Sequence, residues 1–175
     1  MNIVSSQPPA SLTLTALSGI PLLNPGDNLV SIILHSLKQS NLSLENGDIL
    51  VIAQKVVSKA EGRYARLADI IPSERAFKLA EITGKDPRLV ELILSESHEI
   101  VRHSKRTIQS SGVVVAENHQ GVVLANAGID SSNVGSESED EKVLLLPIDP
   151  DKSAGNINKE LQLKFKVRLA VIIND

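Results

Sequence analysis

An α+β fold, with a mixed and largely antiparallel sheet flanked by helices, is what this sequence predicts. Two observations carry the prediction. Capped amphipathic stretches alternate irregularly with short apolar runs, and the clearest turn signal joins one apolar run directly to the next. A regular strand–helix–strand series would show neither feature.

Each element follows from local pattern. Residues 1–10 contain paired prolines and no periodicity, and are expected to form a flexible N-terminal extension. Residues 11–17, "SLTLTAL", alternate apolar and hydroxyl side chains, which predicts a half-buried strand. A loop with Gly19, Pro21, Pro25 and Gly26 follows, and Asp27 is expected to cap a helix through about Lys38. Leu29, Ile33 and Leu37 are spaced to bury one face of that helix. After the Asn46-Gly47 turn, residues 48–62, "DILVIAQKVVSKAEG", predict one long strand or two consecutive ones.

Pro72-Ser73 opens a helix that stops near Gly84, and Asp86-Pro87 opens another, since Asp suits the cap and Pro the first turn. "EIVRHS" predicts a short strand. "GVVVAENHQGVVLANAG" predicts a hairpin that turns at Asn118-His119-Gln120-Gly121. The acidic stretch 134–142 is expected to be a mobile surface loop. Asp149-Pro150-Asp151 starts a helix ending near Phe165, and "VRLAVIIND" predicts a final apolar strand.

At 175 residues the chain fits one domain, or two small ones sharing a core. Hydrophobic residues make up 42% but aromatics only 2%, so the core is built from Leu, Ile, Val and Ala. That scarcity argues against single-strand nucleic acid recognition by stacking, and a net charge of −3 offers no basic face. With no cysteine, disulfides, thiolate catalysis and Cys-based zinc sites are excluded. The first residues carry no basic segment of a signal peptide, and no apolar run reaches membrane-spanning length. The expectation is a soluble cytoplasmic protein with neither a nucleic acid nor a membrane partner.

The common catalytic signatures are missing: there is no GxxxxGK, no GxGxxG and no GxSxG. His35, His98, His103 and His119 lack metal-binding spacing and read as surface or edge residues. Two other stretches can do chemistry. Lys55 and Lys59 are four apart, which on a strand puts both on one face, beside Gln54 and Ser58, where phosphate oxygens could be held. Spacing alone favours a solvated strand edge. Asp130 lies among small polar residues; that suits a turn or cap, and equally a magnesium or manganese ion held with substrate phosphates. Asp175 closes an apolar strand, a common place for a ligand-binding carboxylate.

The stretches "GIPLLNPGD", "GDILVIAQKVVSKAEGR", "DPRLVELILSES", "NAGIDSSNV", "LLLPIDPDKSA" and "LAVIIND" occur in this order over most of residues 19–175. Together they closely resemble the coenzyme F420-0:L-glutamate ligases, also called gamma-glutamyl ligases. The resemblance implies a GTP- and divalent-metal-dependent ligase, with Mg2+ or Mn2+, that adds L-glutamate to the deazaflavin coenzyme precursor through an acyl phosphate. It implies a homodimer. It matches Ile20, Pro21, Leu22 and Leu23 to a nucleotide-contacting loop, and Gln54, Lys55 and Lys59 to a nucleotide-contacting segment, with Lys59 on phosphate. Asn133 matches a further nucleotide contact, and Asp130 and Asp175 match metal ligands.

Three departures qualify the match, one being that "GSESEDEK" is longer and more acidic than the corresponding family loop. The family chain continues past the second Asp, and Asn174 stands where Ser or Thr is usual. Residues 11–175 are therefore expected to be the N-terminal portion of a truncated family member, inactive alone. The alternatives are a non-catalytic nucleotide-binding or assembly module of the same descent, or a ligase for another carboxylate acceptor.

Overall fold

Where the sequence puts a capping side chain before an apolar stripe, the structure has a helix. In this computed structural model, residues 11–107, 111–130 and 141–174 are described. Helix α1 (Leu29–Gln39) is capped by Asn28, whose side chain accepts from Ser31 N at 2.8 Å. Asp27, expected as that cap, instead accepts from Asn24 N at 2.7 Å and closes the preceding turn. Helix α2 (Gln54–Ala60) comes next. Helix α3 (Glu74–Thr83) starts at Ser73 and ends on Gly84 in the left-handed region, φ 65°. Helix α4 (Pro87–Ser95) is capped by Asp86, and α5 (Pro150–Phe165) by Asp149.

The strands form three small sheets. β1 (Ile49–Ala53) pairs in parallel with β7 (Ala170–Asn174), from Ile49 opposite Ala170 to Ala53 opposite Asn174. β2 (Tyr64–Arg66) and β6 (Lys142–Leu144) are antiparallel. β3 (Ser97–His103), β4 (Val114–Asn118) and β5 (Val123–Ala125) form an antiparallel meander. The expected hairpin turn joins β4 to β5: Asn118 Oδ1 accepts from Gln120 N and Val122 N, and Gly121 takes φ +78°. The expected α+β class holds, as does the predominance of antiparallel pairing.

Two expected strands fail. Residues 11–17 form no strand; Leu12 and Leu14 are 83% and 86% exposed, and the segment pairs with no strand of the three sheets. Alternation is a local pattern, and a strand also needs a neighbour to bond. The second failure is at residues 54–60, where β1 stops at Ala53 and the chain turns into α2. Gln54, Val57 and Ser58 are its buried positions, at i, i+3 and i+4. The expectations for residues 1–10 and 134–140 fall outside the described residues. Within the stretch expected as a loop, Glu141 is ion-paired to Arg88 and Lys142 opens β6.

The interior divides into two hydrophobic clusters. One is built by α3, α4, the meander and β6, around Ile93, Val90 and Val114. The other is built by α1, β1, α2, α5 and β7, around Leu161, Val57 and Leu37. Arg63, between α2 and β2, links the two sides: its N donates to Ser58 O of α2 at 2.9 Å, its O accepts from Leu145 N at 2.8 Å, and its guanidinium pairs with Glu96 at 2.9 Å. Among the described residues, no helix is long and apolar enough to cross a membrane.

Candidate active site at the junction of the two cores

Helix α2 carries one side of the site. Burying Val57 and Ser58 fixes how this short helix is rolled, which leaves Lys55 and Lys59 one turn apart on its half-buried flank. The same-face expectation for the two lysines therefore holds, on a helical repeat rather than a strand. Gln54 turns inward: it is 7% exposed and its Nε2 donates to Ser58 Oγ at 2.5 Å. Ser58, expected beside the lysines as a phosphate contact, is fully buried and serves that internal bond.

Asp130 carries the other side. It follows β5 and a 3-10 turn (Asn126–Gly128) in which Asn126, Ala127 and Gly128 all have positive φ. A Cβ on Gly128 would come within 2.6 Å of the Leu146 side chain, so this reversal needs glycine. Asp130 then bridges β6: its N donates to Leu144 O at 3.0 Å, and its O accepts from Leu144 N at 2.8 Å. Because β6 pairs with β2, and β2 follows directly on α2, this bridge brings Asp130 back to the lysines. Lys55 Nζ forms an ion pair with Asp130 Oδ2, the two side chains being 35% and 23% exposed. The pair spans the two clusters.

The loop 20–23 is anchored between α1 and the end of α2. Ser36 Oγ donates to Ser18 O at its start, and Gly26 N donates to Ala60 O at 2.8 Å beyond its end. Ile20 and Leu23 line an apolar cavity of about 440 Å³ with Val51, Ala53 and Val56, so its floor is the strand that runs into Gln54. Pro21 is exposed, and Leu22 is 91% exposed. Asn133 and Asp175 lie outside the described residues. Asn174, which precedes Asp175, pairs with Ala53, so β7 ends level with the start of α2.

The structure thus brings Lys55 to Asp130, sets Lys59 one turn along α2, and puts Ile20 and Leu23 in a cavity lined by Ala53 and Val56. Among the described residues, no three His, Asp or Glu side chains are grouped to hold a metal. His119, one of the four histidines read as edge residues, lies at the β4–β5 turn with its Nε2 2.8 Å from Ser95 O. Sequence reasoning passed over Asn126. Its Oδ1 is buried with no partner among the described residues, on the turn that delivers Asp130. The quoted "NAGID" contained that signal, since Asn tolerates positive φ better than most residues. Arg63 was also missed, and nothing in its local sequence marks a residue that joins two cores.

Comparisons with known proteins place the chain in a family. The model of the F420-0:gamma-glutamyl ligase family matches residues 19–175. The coenzyme F420:L-glutamate ligase of Methanothermobacter thermautotrophicus is 44% identical over 164 residues, covering 94% of this chain and 61% of that protein. The protein of that name from Methanopyrus kandleri is 43% identical, covering 87% of this chain and 55% of its own. The one from Methanosarcina mazei is 39% identical, with 91% and 57% covered. The chain thus spans little more than half the length of these relatives. On the strength of the match over residues 19–175, the chain belongs to the F420-0:gamma-glutamyl ligase family.

Proposed function

We propose that this chain supplies the lysine–aspartate half of a ligase that joins L-glutamate to the deazaflavin precursor F420-0, using GTP and a divalent metal. The observation that carries the reading is the Lys55–Asp130 pair, held across the junction of the two cores in a member of this family. Relatives named coenzyme F420:L-glutamate ligase support the reaction class.

The donor set fits a hard cation. Asp130 presents carboxylate oxygens from a backbone fixed by two hydrogen bonds, already beside a positive charge. Asn126 adds a buried side-chain oxygen on the same turn. Magnesium and manganese are commonly held by one or two carboxylates plus phosphates and water, so a larger acidic cluster is not required. Asp130 and Asp175 would hold the ion. Bound there, it would offset phosphate charge and keep the reacting oxygens in line.

The residues of the chain then divide the remaining work. Ile20 to Leu23 and the apolar cavity beside them take the nucleotide, with Gln54 and Asn133 as further contacts. Lys55 and Lys59 set two ammonium groups against the phosphates on one flank of α2. The terminal phosphoryl group of GTP passes to an oxygen of the acceptor carboxylate, leaving GDP and an acyl phosphate. The glutamate amine then bonds to the acyl carbon, the bond to phosphate breaks, and the amine nitrogen gives up a proton. Little covalent help is needed; positioning and charge neutralisation supply the catalysis.

The test is an assay of the product of the complete reading frame with GTP, L-glutamate, F420-0 and Mn2+ or Mg2+. Glutamylated coenzyme and released phosphate are expected. Absence of both overturns the assignment. Asp130→Ala should abolish turnover and leave the fold intact by circular dichroism; full activity in that variant would remove Asp130 from the site.

A further inference from the structure

We propose that Lys55 is an internal competitor for the metal: its ammonium occupies Asp130 when no divalent ion is bound and is displaced when one binds. The inference rests on the metal reading of Asp130 and adds to it a residue that sets metal affinity and reports metal occupancy.

The argument starts from which partner can move. Asp130 is clamped by both main-chain hydrogen bonds to Leu144, behind a turn whose Gly128 packs against Leu146. Its carboxylate, on a short stem from a fixed backbone, is therefore the less mobile member. Lys55 reaches it on a four-carbon stem from a half-buried flank of α2, with 35% of its side chain exposed. An ammonium on such a stem can swing away without any change in the backbone. Lys55 Nζ lies on Oδ2, an oxygen a metal would use, and two cations cannot share it closely.

Charge dictates the exchange. A divalent ion attracts the carboxylate more strongly than one ammonium does, while the ion pair lowers the apparent metal affinity by competition. Once displaced, the ammonium is one helical turn from Lys59, on the flank where both can meet phosphate oxygens. Metal binding and phosphate binding are then coupled through one side chain. The carboxylate is also never left bare, since one cation replaces another.

Mn2+ titration of the 175-residue chain, read by the loss of the electron paramagnetic signal of aqueous Mn2+, tests this directly. Lys55→Met should bind Mn2+ about three- to tenfold more tightly, from loss of a part-exposed ion pair and removal of a like charge beside the cation. Lys55→Arg keeps the competitor, with a fork suited to carboxylates, and should bind no more tightly than the parent. A purely structural role would make both variants weaker. Asp130→Asn should lose binding.

Unchanged or weaker binding by Lys55→Met, with binding still lost in Asp130→Asn, overturns the competitor and leaves Asp130 as a ligand. Parental binding in Asp130→Asn, or none in any protein, overturns both. A second readout is acetylation of Lys55 by an N-hydroxysuccinimide ester, followed by peptide mass mapping. Labelling should quicken several-fold on saturation with Mn2+ and be fast without metal in Asp130→Asn. A rate indifferent to Mn2+ overturns the displacement.

Discussion

Asp130 owes its place to main-chain bonds with Leu144, so its backbone stays put when its side-chain contacts change. Gln54 is the opposite case, held only as well as its side chain is satisfied. Its Nε2 donates to Ser58 Oγ in a site where the two residues are 7% and 0% exposed. Ser58→Ala should therefore strand a buried amide and cost about 1–3 kcal/mol in urea unfolding. An unchanged midpoint would mean that this amide has another acceptor. The sequence showed part of this site. Lys55 and Lys59 were expected on one face, and an even spacing of four serves a strand and, nearly, a helix. Their meeting with Asp130 was beyond local pattern, because it depends on β2 and the Asp130 bridge lying on either side of β6. Spacing along the chain carries no record of that arrangement.

Helices with a capping side chain were legible, and the α-helix without one was not. Asn28, Ser73, Asp86 and Asp149 each accept a backbone hydrogen bond at the start of their helix. Helix α2 begins on Ala53 with no side-chain cap, contains two adjacent valines and lasts seven residues, so it read as a strand. The strand expected at 11–17 failed for the complementary reason, a pattern without a partner. Asp86 makes the caps testable. The Arg88 side chain holds the Asp86 carboxyl below its ordinary value of 3.8; burial opposes this, and the Arg88 backbone N–H adds a smaller lowering. A depressed carboxylate contributes stability that is fully present above that ordinary value and is lost as pH falls through the lower folded one. Asp86→Asn keeps a capping oxygen, so it should flatten part of the acid limb of a stability–pH curve. Asp86→Ala should cost about 1 kcal/mol at neutral pH as well. An acid limb as steep in Asp86→Asn as in the parent would assign it to other groups, Glu91 first, whose carboxyl the Ser73 hydroxyl lowers.

At the scale of the molecule, two clusters meet along one seam, and each should answer to its own mutations. Leu161 and Ile93 are both fully buried, one in each cluster. Truncating either to Ala should cost about 2–5 kcal/mol. Hydrogen exchange should rise chiefly in β1, β7 and α1 for Leu161→Ala, and in α3, α4 and the meander for Ile93→Ala. Equal loss of protection everywhere in both variants would show that the seam, with Arg63 across it, makes one cooperative unit. The parallel pairing of β1 with β7 has a consequence for how the chain is made. Every buried member of the first cluster lies between Leu67 and Leu145, whereas the second draws on Val30 to Val57 and again on Ile157 to Leu169. During translation the middle of the protein can condense as soon as it emerges. The segment that carries the lysines, synthesised earlier, must wait with its apolar face uncovered until α5 and β7 arrive. The long loop this closes favours slow, late pairing. The cluster that carries Lys55 and Lys59 therefore begins to be synthesised first and is completed last.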